Sequence, residues 1–135
     1  MNAQYMLDTN VLVDLMHVPG DSLRAQVSAH DGLLAVSTVT VMELEYGVER
    51  TRFSQRARLQ VDGVLALVDV LDFDRRAAFH AGHIRSALAS QGTPIGPYDA
   101  LIAGHARSAG LTLVTNNTRE FSRVPSLAIV NWLEP

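Results

Sequence analysis

The stretch Tyr5-Met6-Leu7-Asp8-Thr9-Asn10-Val11-Leu12-Val13 constrains the fold more than any other part of the chain. It opens as a short apolar run and continues in a helical pattern, with one carboxylate at the join. A buried strand that runs straight into a helix leaves that carboxylate at the helix N-terminus, where backbone N–H groups point outward. A charge among so many apolar neighbours is costly to desolvate unless it is hydrogen-bonded, paired or bound to a metal. Asp8 therefore reads either as a helix cap or as a metal ligand, and its own stretch does not choose between them.

The same alternation continues along the chain. Residues 11–17 read as a helix stopped by Pro19-Gly20. Asp21 or Ser22 then caps a short helix to about Ala29. Residues 33–37 form a second continuous apolar run, the pattern of a strand buried on both faces of a parallel sheet. Ser37 or Thr38 caps a helix over 39–50, and a further helix ends near Ala66. Residues 68–73 alternate with acids, which predicts a strand near the sheet edge. Asp74 caps a long helix to about Ser90, with Gly92 beyond it. Pro97 suits the first position of a helix that runs to Gly110. Residues 111–115 and 127–130 complete a predicted set of four to five strands. The fold class is α/β, a sandwich with a central, mostly parallel sheet in a single domain over 1–135.

Several acids stand at equivalent places in this pattern. Asp99 lies, like Asp8, at a helix N-terminus and is followed at once by apolar residues. The helix dipole alone accounts for one such carboxylate; two make that account less sufficient. Glu43 has Val39 before it and Tyr46 and Gly47 after it on one helix face, so it points away from the charged stripe. Its bland alternative is a part-buried ion pair to an arginine. Glu45, nearly opposite and one turn from Glu49, reads as a solvated residue. Asn116, Asn117 and Glu120 follow a strand. In parallel α/β sheets the functional crevice lies at the carboxyl ends of the strands, so Asp8, Glu43, Asp99 and Glu120 are expected to share one. Such a cluster needs a cation to stay ionised. All-oxygen ligation suits Mg²⁺ or Mn²⁺, and phosphodiester hydrolysis is the chemistry it best supports.

Composition removes other classes. The chain has no cysteine, which excludes disulfides and thiolate metal sites. All eleven cations are arginine, which excludes lysine Schiff-base and P-loop chemistry. A net charge of −3 argues against coating nucleic acid by bulk electrostatics. Arg50, Arg52, Arg56 and Arg58 cluster, as an RNA phosphate grip or as an ordinary solvated face. His80 and His83 at helical spacing are a weak metal signal without a third ligand. No run is long enough to span a membrane and no signal-peptide pattern opens the chain, so a cytoplasmic protein is expected.

Four segments together carry a resemblance: 6–11 (Met-Leu-Asp-Thr-Asn-Val), 42–47 (Met-Glu-Leu-Glu-Tyr-Gly), 97–103 (Pro-Tyr-Asp-Ala-Leu-Ile-Ala) and 114–121 (Val-Thr-Asn-Asn-Thr-Arg-Glu-Phe). In kind and order they resemble the motifs of PIN-domain ribonucleases, over essentially the whole chain and at the length of the VapC toxins of VapBC toxin–antitoxin systems. The resemblance implies a PIN-like α/β/α sandwich. It also implies a Mg²⁺-dependent endoribonuclease acting on tRNA or other structured RNA, neutralised by a VapB-type antitoxin and homodimeric. Asp8 and Asp99 match the principal metal ligands, and Glu43 the second acidic position near metal and water. Asn10, Thr115, Asn116 and Asn117 fall where substrate or water is positioned. One departure stands out: many PIN domains carry Asp where this chain has Asn117, leaving Glu120 as the candidate fourth carboxylate.

Two other readings compete. A haloacid-dehalogenase-type phosphatase would want a second Asp where Asn10 stands, and receiver domains use a lysine that the chain lacks. A non-catalytic module would use the acidic pocket only to dock an antitoxin arginine.

Overall fold

Neighbouring residues of the central strands bury their side chains on opposite faces, which is why these segments read as unbroken apolar runs. The structure, a computed structural model, describes residues 2–17 and 19–133. Its strands are β1 (Tyr5–Leu7), β2 (Leu34–Ser37), β3 (Asp69–Leu71), β4 (Thr112–Val114) and β5 (Ile129–Val130). They pair in parallel, in the order β3-β2-β1-β4-β5. Register sets Tyr5 beside Leu34 and Thr112, so β1 is the central strand. The expected edge strand is β3, shorter than predicted, with Asp69 and Val70 exposed.

On one face Leu7, Val36 and Val114 pack with residues of α1 (Thr9–Met16), α2 (Asp21–Ala29), α3 (Thr38–Arg50) and α4 (Ser54–Leu65). On the other, Met6, Ala35 and Leu113 meet α5 (Arg75–Ser90), α6 (Pro97–Ser108) and Phe121 of α7 (Thr118–Phe121). Each fully buried aliphatic side chain contributes roughly 1.5–3 kcal/mol, and the two cores leave both sheet faces covered. α5 and α6 approach closely at Gly104, where a Cβ would lie 2.5 Å from the Ala81 backbone nitrogen. Gly104 is thus a packing requirement.

Side-chain caps explain the starts of α1, α3 and α5, and one expected cap is corrected. Ser37 caps α3 by accepting from Val39 N–H at 3.0 Å, while the Thr38 hydroxyl accepts from Phe73 N–H. Asp74 caps α5 through Ala77 N–H, and Pro97 takes the first turn of α6. The α2 cap is Gly20; of the two expected caps, Ser22 falls inside the helix and Asp21 sits at the start of its first turn. There its charge complements the dipole without accepting a capping bond.

On the face covered by α1 to α4, Trp132 stacks on His30, with centroids 4.8 Å apart, and Tyr5 packs against both rings. Among the described residues no helix is long and apolar enough to cross a membrane.

The chain moves from β1 outward through β2 to β3, then returns to β4 on the other side of β1. The carboxyl ends of β1 and β4 therefore flank the point where strand order reverses, the preferred place for a site in such sheets.

Candidate active site

Asp8 follows β1 at that reversal point. Its Oδ1 accepts from Val11 N–H at 2.9 Å, so it caps α1. Capping does not exhaust its role. The side chain is 3 % exposed, and the buried Thr115 hydroxyl after β4 also donates to it. Burial pushes the Asp8 carboxyl above its usual range, and the charges of Asp14 and Glu43 add to this. The Thr115 and Val11 bonds pull it back. Thr115 also accepts from Asn117 N–H at 2.9 Å, which shapes the turn leaving β4.

Glu43 projects from α3, on the face that helical spacing indicated. The Thr9 hydroxyl donates to Glu43 Oε1 at 2.7 Å and lies 3.0 Å from the Thr40 hydroxyl. Thr9 has one proton, given to Glu43, so Thr40 donates to Thr9. A chain of hydroxyls thus orients Glu43, and the alternative of an arginine partner does not hold among the described residues. Thr9 and Thr40 were missed by sequence reasoning. Thr9 stands beside Asp8 in the opening motif, which was the available signal.

Asp99 lies in the first turn of α6, and a Cβ at Gly96 would come within 3.2 Å of its Oδ2. Its carboxyl is pushed up to about 6, first by burial and then by the charges of Glu120, Asp8 and Glu43. Among the described residues no hydrogen-bond donor offsets these effects. The four predicted carboxylates therefore feel one another across one crevice. Glu120 is held by the Asn117 amide, which donates to its Oε2 at 3.0 Å. Asn10 and Asn116 are exposed and, among the described residues, make no hydrogen bond to the cluster. Their predicted positioning role has no support in these contacts.

The donor set fits a hard divalent cation. It offers carboxylate oxygens only, and Asp99 is penalised for the negative charge that a cation would offset. Among the described residues, no three acidic or histidine side chains converge into a ready-made cage. Mg²⁺ does not need one, because it keeps several waters and binds through one or two carboxylates. Asp8 and Asp99 are the pair best placed to supply them.

Other candidates resolve differently. Glu45 is not simply solvated: Arg58 grips it with both guanidinium nitrogens, at 2.6 and 2.5 Å, tying α4 to α3. This pairing holds the Glu45 carboxyl below its usual range. Arg50, Arg52 and Arg56 remain exposed. His80 Nδ1 accepts from Arg107 Nε at 2.9 Å, and burial together with that cation pushes the ring toward neutrality. A metal role for His80 and His83 gains nothing from this geometry. Buried His105, also missed from sequence, meets Ser37 Oγ at 2.8 Å and packs edge-on against Phe73.

Known proteins are similar to this chain over nearly its whole length. The PIN domain family matches residues 5–127. The tRNA(fMet)-specific endonuclease VapC of Shigella flexneri is 46 % identical over 96 % of this chain and 98 % of its own length. Ribonuclease VapC2 of Haemophilus influenzae is 38 % identical over 96 % and 98 %. Among solved structures, DNA-bound VapBC from Salmonella typhimurium superposes with a TM-score of 0.92 at 42 % identity, covering 96 % of this chain and 98 % of that one. VapBC2 from Rickettsia felis, bound to a promoter DNA fragment, gives 0.90 at 34 % identity over 95 % and 98 %. Fold, motif order and full-length similarity agree: the chain belongs to the PIN-domain family, among its VapC ribonucleases.

Proposed function

We propose that this protein is a Mg²⁺-dependent endoribonuclease that cleaves tRNA(fMet), works as a homodimer and is held inactive by a VapB-type antitoxin. The observation that carries the reading is the shared crevice of Asp8, Glu43, Asp99 and Glu120, in which Asp99 is raised to about 6 by burial and, after it, by its acidic neighbours. The substrate follows from the name of the Shigella flexneri relative, and the partner from the VapBC complexes.

Asp8 and Asp99 would hold the cation, and Mn²⁺ could replace Mg²⁺. The chemistry such an ion would supply is charge neutralisation at the phosphate and greater acidity of a bound water. The protein's own groups do the rest. Thr115 and Val11 N–H fix Asp8, so the ligand needs no reorganisation. Thr9 fixes one oxygen of Glu43, leaving the other to accept a proton from the attacking water. Asn117 keeps Glu120 at the rim.

The test is cleavage of a tRNA(fMet) transcript beside other tRNAs, with Mg²⁺ or EDTA, by wild type, Asp8→Asn and Asp99→Asn. Discrete fragments from tRNA(fMet), needing the metal and both aspartates, are expected. Intact RNA throughout, with wild type folded and free of antitoxin, refutes the nuclease. Equal cleavage of all tRNAs refutes only the substrate.

A further inference from the structure

The catalytic face carries an apolar feature that the acidic chemistry does not use. Beside Glu43 a cavity of about 440 Å³ is lined by Met42, Tyr46 and Tyr98, a size within the range of small-ligand sites. All three are large and exposed, at 42, 66 and 48 %. Neither core recruits them, although buried neighbours on the same helices are packed. Tyr98 directly precedes Asp99 in the first turn of α6, and Tyr46 lies one turn beyond Glu43 on α3. Aromatic surface thus borders two of the four carboxylates.

The electrostatics explain what such surface is for. A chain of net charge −3 with an acidic crevice gains little from bulk attraction to a polyanion. Exposed Arg50, Arg52 and Arg56 can meet phosphates at the α3–α4 junction, but beside the carboxylates themselves a contact indifferent to charge adds affinity without repulsion. Stacking of nucleobases on aromatic rings is such a contact, and it requires bases that are unpaired. We infer that Tyr46 and Tyr98 form a stacking platform for an unpaired nucleobase next to the cleaved bond, with Met42 closing its floor. This rests on the nuclease reading and names positioning residues for it. The rings, rather than their hydroxyls, carry the contact.

The experiment compares wild type with Tyr46→Ala, Tyr98→Ala, Tyr46→Phe and Tyr98→Phe on tRNA(fMet) under single-turnover conditions. Wild-type products first locate the cleaved bond, and a second substrate carries an abasic site at the flanking nucleotide. Each Ala variant should lower kcat/KM by roughly 5–100-fold, the range that base–aromatic stacking gives. Each Phe variant should restore it to within about twofold. Removing the base should slow wild type by a similar factor yet leave the Ala variants unchanged, because the contact is already gone. Thermal melts check that the exposed substitutions leave the fold intact.

Ala variants that cleave like wild type would overturn the platform while leaving the nuclease in place. So would Ala and Phe variants that fail alike and elute at lower mass, since the patch would then join two copies of the chain. Wild type that leaves all RNA intact removes the nuclease reading and the platform with it.

Discussion

Asp99→Asn should stabilise the metal-free protein at neutral pH while abolishing cleavage. The Asp99 carboxyl is raised from 3.8 to about 6 by burial and by Glu120, Asp8 and Glu43. Its folded-state value lies above the unfolded one, so the folded state binds more protons in this window. The ionised group therefore lowers stability progressively as pH rises from about 4 to about 6. At 1.36 kcal/mol per pH unit that interval sets a ceiling of about 3 kcal/mol. The side chain is only part-buried, and solvent screening reduces the figure to roughly 1–2 kcal/mol. Asparagine keeps the shape without the charge but gives up about 0.3–1 kcal/mol of interaction with the α6 dipole. A net gain of about 1 kcal/mol remains, or roughly 3–5 °C in Tm for a domain of this size. Circular dichroism melts in EDTA at pH 7.5 and 4.5 measure it, with about a third of the charge effect left at the lower pH. Mg²⁺ at ten times its Kd should return about 1.4 kcal/mol to wild type and little to the variant. An Asn variant no more stable than wild type at pH 7.5, or one whose gain ignores pH, would refute the reasoning.

Other substitutions test the supports of the site. Gly104→Ala places a Cβ 2.5 Å from the Ala81 backbone, and should cost about 1–3 kcal/mol, read from urea midpoints. Thr9→Val removes the donor to Glu43 and should lower kcat about tenfold, with Thr9→Ser recovering most of it in the same cleavage assay. Asn117→Asp replaces the amide that binds Glu120 with a like charge, and should lower stability in EDTA while enlarging Mg²⁺-induced thermal stabilisation. Burial holds the His105 imidazole below its usual range, so its contribution is present above about pH 6.5 and fades as pH falls. His105→Gln should flatten that acid limb in denaturant titrations at pH 7.5 and 5.5.

Local features were legible in the sequence because their causes are local. Asp8 and Asp99 are marked by strand-to-helix and proline-to-helix junctions, and Glu43 by spacing on one helix. The apolar runs of β1, β2 and β4 revealed two-sided burial, but their order depends on pairing between distant segments. Glu45 was misread because its partner Arg58 is 13 residues away, on a helix whose packing against α3 no periodicity encodes. The Thr9–Thr40 and Ser37–His105 contacts span 31 and 68 residues. Hydroxyls carry no pattern that would announce such pairs. The same holds for Gly104, whose need is set by the backbone of another helix.

The crevice is specific in how it denies its carboxylates a cation from the protein. Eleven arginines are available, yet the salt bridges among the described residues join Arg58 to Glu45 and Asp62. The candidate acids are held by neutral donors instead. Asp8 has Val11 N–H and Thr115, Glu43 has Thr9, and Glu120 has Asn117. Neutral donors fix geometry without cancelling charge, so the cluster stays negative and open to an external cation. An arginine inserted by a partner would meet the same field, which makes one crevice suitable both for metal-dependent chemistry and for its inhibition. Asp99 is part-buried, has neighbours of like charge and, among the described residues, has no such donor, which is why its carboxyl rises to about 6. It is the group whose ionisation gains most from a cation, and therefore the one that couples metal binding most directly to the stability of the fold.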